Sequence, residues 1–299
     1  MTTIGFAGLA NSHPFTDARH LKALRPGIRF LAWDPSPQRR ALFADEHPSA
    51  EHVESPAALL ASGPDVVVLT RPPAEVAGIV AETLDAGSAV SITKPAVTCE
   101  AELRALEAAV AGREERVFTT SVLRFAPDLD ALPARIRRVH VNVHHDIEYW
   151  LDSAQRWQDD AGGLVPMMGV HAFDMLERIL GPTMCITSCE ARQRLDLGLG
   201  SPDIAVGAAT SADGVRATFE IDGAPGGQTY SIEVETDDGT VIRRTLGQVD
   251  DGDPFGFLRA ARMVLTLADG HPSPVAWDDT RAVLQAVVEA RKLTQGVRR

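Results

Sequence analysis

Lysine is scarce in this chain: of 29 basic residues only Lys22, Lys94 and Lys292 are lysines. Lys94 closes the apolar run Ala89-Val90-Ser91-Ile92-Thr93 and is followed at once by Pro95. A guanidinium stays charged, whereas an ammonium in a cleft can be shifted until it exchanges protons near neutrality. Lys94 is therefore a candidate acid or base; the plainer reading is a solvated lysine where a strand meets a loop. Farther on, His171, Asp174 and Arg178 fall at i, i+3 and i+7 of a predicted helix, on a face separate from its apolar stripe of Met168, Ala172, Leu176, Ile179 and Leu180. His171 can carry a proton and Asp174 can orient it. The same pattern also describes an ordinary polar helix face. His140 and His144 alternate with Val139, Val141 and Val143 on a half-exposed strand. With no cysteine or second ligand cluster beside that row, no metal is expected.

A second constellation sits near the start. Gly8-Leu9-Ala10-Asn11-Ser12-His13-Pro14 follows the strand-like run Thr3 to Ala7 and leads into a helix predicted over 15–24. The amides of its first turn would face an anion, with Asn11, Ser12 or His13 adding side-chain donors. A dinucleotide loop normally reads G-x-G-x-x-G. Here Gly8, Ala10 and His13 occupy those places, and a plain tight turn remains open. Asp34 closes the second strand, Arg29 to Trp33, 26 residues after Gly8. A carboxylate there accepts from ribose hydroxyls and repels a 2′-phosphate, so NAD is expected and NADP less so. Arg39 and Arg40 are expected to be solvated on the following helix.

These groups need a scaffold. Strands at 29–33 and 65–69 alternate with helices at 37–46, 56–61 and 74–86, and the strands are apolar throughout, which predicts a parallel sheet covered on both faces. The expected class is α/β, with a Rossmann doubly wound domain over 1–120. An α+β domain over 121–299 follows, with a mostly antiparallel open sheet. It takes in a long strand from Arg137, a helix with Pro166 in its first turn and Gly181-Pro182 at its end, and strands at 205–210, 214–221, 228–236 and 240–246. A last helix at 278–293 is expected to pack on a domain, the first included. Tyr149, Trp150 and Trp157 lie in a loop, as an aromatic lid or as core.

Composition narrows the partners. A formal charge of -12 over 299 residues and 44% apolar content describe a globular protein without the basic surface that nucleic acid or an anionic membrane requires. Cys99, Cys185 and Cys189 are odd in number, build no disulfide framework and suit a reducing compartment. Without a basic, apolar leader, a cytoplasmic location is expected.

Several stretches together resemble the glucose-fructose oxidoreductase, inositol dehydrogenase and rhizopine-catabolism family (Gfo/Idh/MocA). They are Asp65-Val66-Val67-Val68-Leu69-Thr70-Arg71-Pro72-Pro73, Ser91 to Pro95 followed by Cys99-Glu100-Ala101-Glu102, Arg124-Phe125-Ala126-Pro127, and Gly162-Gly163 through Gly169-Val170-His171-Ala172-Phe173-Asp174. The resemblance runs along nearly the whole chain. It implies hydride transfer between a nicotinamide and a polyol, sugar or related hydroxy compound, with Lys94 polarising the oxygen and His171 as acid or base. Cofactor contacts are implied for Gly8, Ala10, Asn11, Ser12, His13, Asp34, Thr70, Arg71, Pro72, Lys94 and Pro95. Substrate contacts are implied for Lys94, Arg124, Trp157, Met167 and His171. Thr93 replaces the family's glutamate, and Met167 its aspartate four residues before the histidine; Asp174, on the same helix face, is the carboxylate expected to orient His171 instead. A homodimer or homotetramer through the second sheet is implied. Two other outcomes fit the same residues: a dinucleotide-binding sensor without turnover, and a relative that hydrolyses glycosides with no net redox.

Overall fold

A computed structural model describes residues 1–133, 135–153, 155–249 and 252–295 of the chain. Two compact units are interwoven along it. The first takes Met1–Ala96, Arg104–Thr120 and Phe257–Trp277; the second takes Val97–Leu103, Ser121–Gly256 and the chain from Asp278 on.

In the first unit the strands are β1 (Thr3–Ala7), β2 (Arg29–Trp33), β3 (Glu51–His52), β4 (Val66–Leu69), β5 (Ala89–Ile92) and β6 (Val117–Phe118). They pair in parallel in the order β3-β2-β1-β4-β5-β6. This is the dinucleotide-type order, in which the strand order reverses between β1 and β4 and the ligand crevice lies outside the carboxyl ends of the strands. Val66, Val67 and Leu69 are wholly buried and Val68 nearly so. Each such side chain contributes about 1.5–3 kcal/mol relative to exposure, so a run of four commits the segment to a two-faced interior.

The connecting helices are α1 (His13–Leu24), α2 (Pro37–Glu46), α3 (Pro56–Ala61), α4 (Pro73–Asp85) and α5 (Glu100–Val110). Ser36 and Ser55 cap α2 and α3 by accepting from the amides of Arg39 and Ala58, and Pro37 and Pro56 follow each cap. A serine cap with proline in the first turn is a strong local start signal, which is why both helices begin where the sequence predicts.

The second unit contains β7 (Ile136–His145), the short α6 (Trp157–Asp160), the long α7 (Leu164–Leu180), β8 (Cys185–Arg192), β9 (Ile204–Thr210), β10 (Arg216–Asp222), β11 (Gln228–Thr236) and β12 (Val241–Thr245). Its sheet runs β12-β11-β7-β10-β9-β8. All neighbours are antiparallel except β7 and β10, which are parallel. The pairs β9–β10 and β11–β12 are antiparallel, as the sequence predicts; the parallel pair arises because β7 lies between β10 and β11. The inner face, with Val139, Val141, Val143, Phe219, Ile221 and Ile232, packs against α7.

The expected boundary at 120 is crossed again near the end. Helix α8 (Phe257–Ala268) returns to the first unit and packs on α1 through its apolar face of Ala260, Ala261, Val264 and Leu265. Helix α9 (Trp277–Gln295) places Val283, Ala286, Val287 and Ala290 in the core of the second unit, so it does not join the first.

Candidate active site

The carboxyl edge of the first sheet is assembled around Gly8. Its φ of +99° is unfavourable for a side chain, and a Cβ there would lie 2.2 Å from the Thr70 carbonyl oxygen and 2.5 Å from Arg71 Cδ. Only glycine lets the loop after β4 approach the loop after β1 this closely. The Gly8 amide donates to the Trp33 carbonyl at 2.8 Å, extending the β1-β2 pairing. Asn11 Oδ1 accepts from the His13 amide at 2.9 Å, ordering the entry to α1. Helix α1 has no acidic residue in its first turn, so its positive end is unopposed.

Asp34 is 3% exposed, and its two oxygens accept from the amides of Leu9 at 2.6 Å and Ser36 at 2.8 Å. It thus ties the loop after β1 to the loop after β2. A carboxylate has about four lone-pair directions, so the ribose role expected for it is compatible with this clamp. Arg39 and Arg40 are not the solvated residues the sequence predicts. Arg39 donates to the carbonyls of Leu9 and Asn11, both at 2.6 Å, and lies over the Phe15 ring; Arg40 donates to the Asp34 carbonyl at 2.5 Å. Loop carbonyls beside the tight turn need donors, and the first turn of α2 supplies them. Arg71 is held by Glu75 and lies over Trp33, with its guanidinium carbon 5.5 Å from the ring centre. The hydroxyls of Thr70 and Thr93 meet at 2.8 Å, joining the ends of β4 and β5. Lys94 follows at the end of β5, half-buried, and desolvation brings its ammonium down to about 8. The donor set fits a dinucleotide: amides at a helix start, hydroxyls, and a carboxylate at the second strand.

In the second unit α7 carries the other candidates. It starts after Gly163, at φ +68°, where a Cβ would fall 2.1 Å from that of Ser201. From Leu164 to Glu177 every residue of α7 is buried, the polar face included. The solvated reading of that face is therefore overturned. Its charges are neutralised internally: Arg124 donates to Asp174 at 2.8 Å and also to Glu177, with Asp279 4.0 Å away, while Arg178 reaches Asp130 at 2.7 Å and the Arg124 carbonyl. Burial raises the Asp174 carboxyl despite Arg124, and raises Glu177 to about 7. Arg124, expected at the substrate, is 12% exposed and committed to these carboxylates, because two buried acids need a cation.

Asp174 does not contact the His171 imidazole as expected. One of its oxygens takes the Ser121 amide and the other Arg124. The group at His171 Nδ1 is the Ser121 hydroxyl, 2.6 Å away. Ser121 was missed by sequence reasoning; its one local signal is that it caps the short turn Val122–Phe125, accepting from the Leu123 amide at 3.1 Å. The Tyr230 ring lies 5.8 Å from that of His171, and its hydroxyl is 3.0 Å from His145 Nδ1. Met167 is fully enclosed in the apolar core, a packing residue in place of the expected substrate contact. Trp157 is half-buried, and its indole N–H has no hydrogen-bond partner among the described residues. Among those residues no group of three His, Cys, Asp or Glu could hold a metal ion, and no helix is long and apolar enough to cross a membrane.

A Rossmann-type unit with a lysine at the end of its fifth strand, joined to an open sheet backed by a histidine-bearing helix, defines a class. Residues 134–242 match the family model of the GFO/IDH/MocA C-terminal domain. Over those residues the chain is similar to that domain, the part of the family that its second sheet represents. Among solved structures it is similar to GenD2 from gentamicin A biosynthesis in complex with NAD, at 21% identity and TM-score 0.82 over 99% of this chain and 95% of that one. A myo-inositol dehydrogenase from Corynebacterium glutamicum shares 14% identity, TM-score 0.80, over 99% and 97%. The scyllo-inositol dehydrogenase from Lactobacillus casei shares 14%, TM-score 0.80, over 99% and 98%. At these identities the likeness establishes the fold. No curated protein matches the chain.

Proposed function

We propose that this protein is an NAD-dependent oxidoreductase acting on a polyol, a sugar or a related hydroxy compound. The observation that carries the reading is Lys94, half-buried at the cofactor edge of a Rossmann sheet with its ammonium brought into the range of proton exchange. The NAD complex of GenD2 and the inositol dehydrogenases among the similar folds support it. Bound nicotinamide would supply or take the hydride. Gly8, Asn11, Ser12, the α1 amides and Asp34 bind and orient the dinucleotide; Lys94 and His171 are the groups assigned to the reacting oxygen. Asp34 favours NAD over NADP. Val206 at 42% exposure and Val241 at 44% lie on the outer face of the second sheet, and we assign that face to a homodimer or homotetramer, which light scattering of the purified chain checks.

The experiment is an absorbance screen for NADH formation with inositols, other polyols and sugars, beside direct NAD binding by calorimetry. Turnover of at least one of these compounds is expected. Tight NAD binding with no reaction on any would replace the enzyme by a sensor, and conversion without NADH accumulation would indicate a non-redox outcome.

A further inference from the structure

We propose that Ser121 holds neutral His171 as the tautomer protonated at Nε2, so that His171 meets the reacting oxygen as a hydrogen-bond donor and the proton itself is exchanged by another group. The assignment to a reacting oxygen rests on the oxidoreductase reading; the assignment of the tautomer does not.

The argument is an accounting of one hydroxyl. A serine Oγ offers one proton and two lone pairs. Among the described residues the Ser121 Oγ has two partners, the Leu123 amide at 3.1 Å and His171 Nδ1 at 2.6 Å. The amide can only donate, so it occupies a lone pair. If Nδ1 carried a proton it would fill the second lone pair, and the serine proton would be left with no acceptor in a site with 0% exposure. A buried donor without an acceptor is the costlier arrangement. If the hydroxyl instead donates to Nδ1, both of its bonds are satisfied and the imidazole proton resides on Nε2.

The serine is itself fixed. Its amide donates to Asp174, its carbonyl accepts from the Arg124 amide at 3.1 Å, and Arg124 is anchored on the buried acids of α7. Being fully buried, the hydroxyl cannot attack a ligand. Ser121 is a positioning residue, and among the described residues it links Asp174 to His171.

This divides the work at the oxygen. An imidazole already protonated at Nε2 has no lone pair there to take a proton, but it can polarise an oxygen as a neutral donor. In alcohol oxidation the O–H bond breaks and its proton passes to a base, while the electron pair of the adjacent C–H bond leaves as hydride to the nicotinamide and the C=O bond forms. The base assigned to this step is Lys94 as the neutral amine. Its half-buried place directly after β5, where desolvation brings the ammonium down to about 8, supports that role.

The test uses the full chain labelled with 15N-histidine, with and without NAD, at a pH where the imidazole is neutral. Long-range proton–nitrogen correlation distinguishes the two tautomers, and the signal lost in His171→Gln identifies the residue. His171 is expected to show the Nε2-protonated pattern in the parent, a mixture in Ser121→Ala, and the parent pattern again in Ser121→Thr, which keeps a hydroxyl. A parent protonated at Nδ1 overturns the proposal. On a substrate that the parent oxidises, His171→Asn retains an N–H donor and should keep at least about tenfold more kcat/KM than His171→Leu, a difference of about 1.4 kcal/mol. Equal losses would restore His171 as the base. If no substrate is turned over, the oxidoreductase reading fails while the nitrogen spectra still decide the role of Ser121.

Discussion

At the scale of single residues, Lys94 is where composition and environment meet. Its ammonium gives up its proton at about 8, because it is desolvated at the end of β5. As the base proposed for alcohol oxidation it would work in the neutral form, so kcat/KM for oxidation should rise as pH increases and level off above about 8. Lys94→Arg keeps a charge but cannot release a proton near neutrality. It should lose about 100-fold or more of kcat/KM, within the usual range of acid-base effects, and Lys94→Met should do the same. NAD affinity, measured by calorimetry, should stay within about tenfold in both. Parent-like turnover in either variant would remove Lys94 from the chemistry.

At the scale of elements, the polar face of α7 and the clamp at Asp34 show how buried charge holds a site in place. Glu177 is 2% exposed, and burial outweighs its bond to Arg124, so its folded value of about 7 stands above the ordinary value of 4.5. The folded state therefore binds more protons than the unfolded one between those values. By linkage its contribution to stability is fully present below about 4.5 and is lost as pH rises through about 7. Glu177→Gln removes that titration. Between pH 5 and 8 the Tm of the parent should fall relative to that of the variant, and parallel curves would show that Glu177 does not titrate there. Asp34→Ala would leave the Leu9 and Ser36 amides without their acceptor, a loss of about 1–3 kcal/mol for each group left buried and unsatisfied. The variant should unfold at lower urea and discriminate less between NAD and NADP. Unchanged discrimination with lowered stability would confine Asp34 to the clamp.

For the molecule as a whole, the two units share the chain in six alternating segments, so neither is a contiguous half. Ligand linkage gives a measurement on the intact protein. NAD that binds only the folded state stabilises it by about 2.7 kcal/mol at one hundred times Kd. A rise in Tm of several degrees is expected with NAD and a smaller one with NADP at the same concentration. A larger rise with NADP would contradict the reading of Asp34 and point to the arginines around it, Arg39, Arg40 and Arg71.

The amino-acid sequence by itself determined the order and kind of most elements, because those depend on local signals. The apolar run Val66 to Leu69, the strands Thr3 to Ala7 and Arg29 to Trp33, the serine caps with proline before α2 and α3, and the alternation along β7 each act within a few residues. The motifs around Lys94 and His171 were legible too, and they carried the resemblance to the Gfo/Idh/MocA family. Tertiary structure alone decided which groups those residues touch. His171 is bound by a serine 50 positions away, Asp174 by that serine's amide and by Arg124, and the carbonyls beside Gly8 by Arg39. It also placed α8 in the first unit and set β10 parallel to β7. A hydrophobic pattern reports which positions leave water. It carries no information about which buried polar group will satisfy another, since any donor that packing brings within about 3 Å serves, and distance along the chain does not enter.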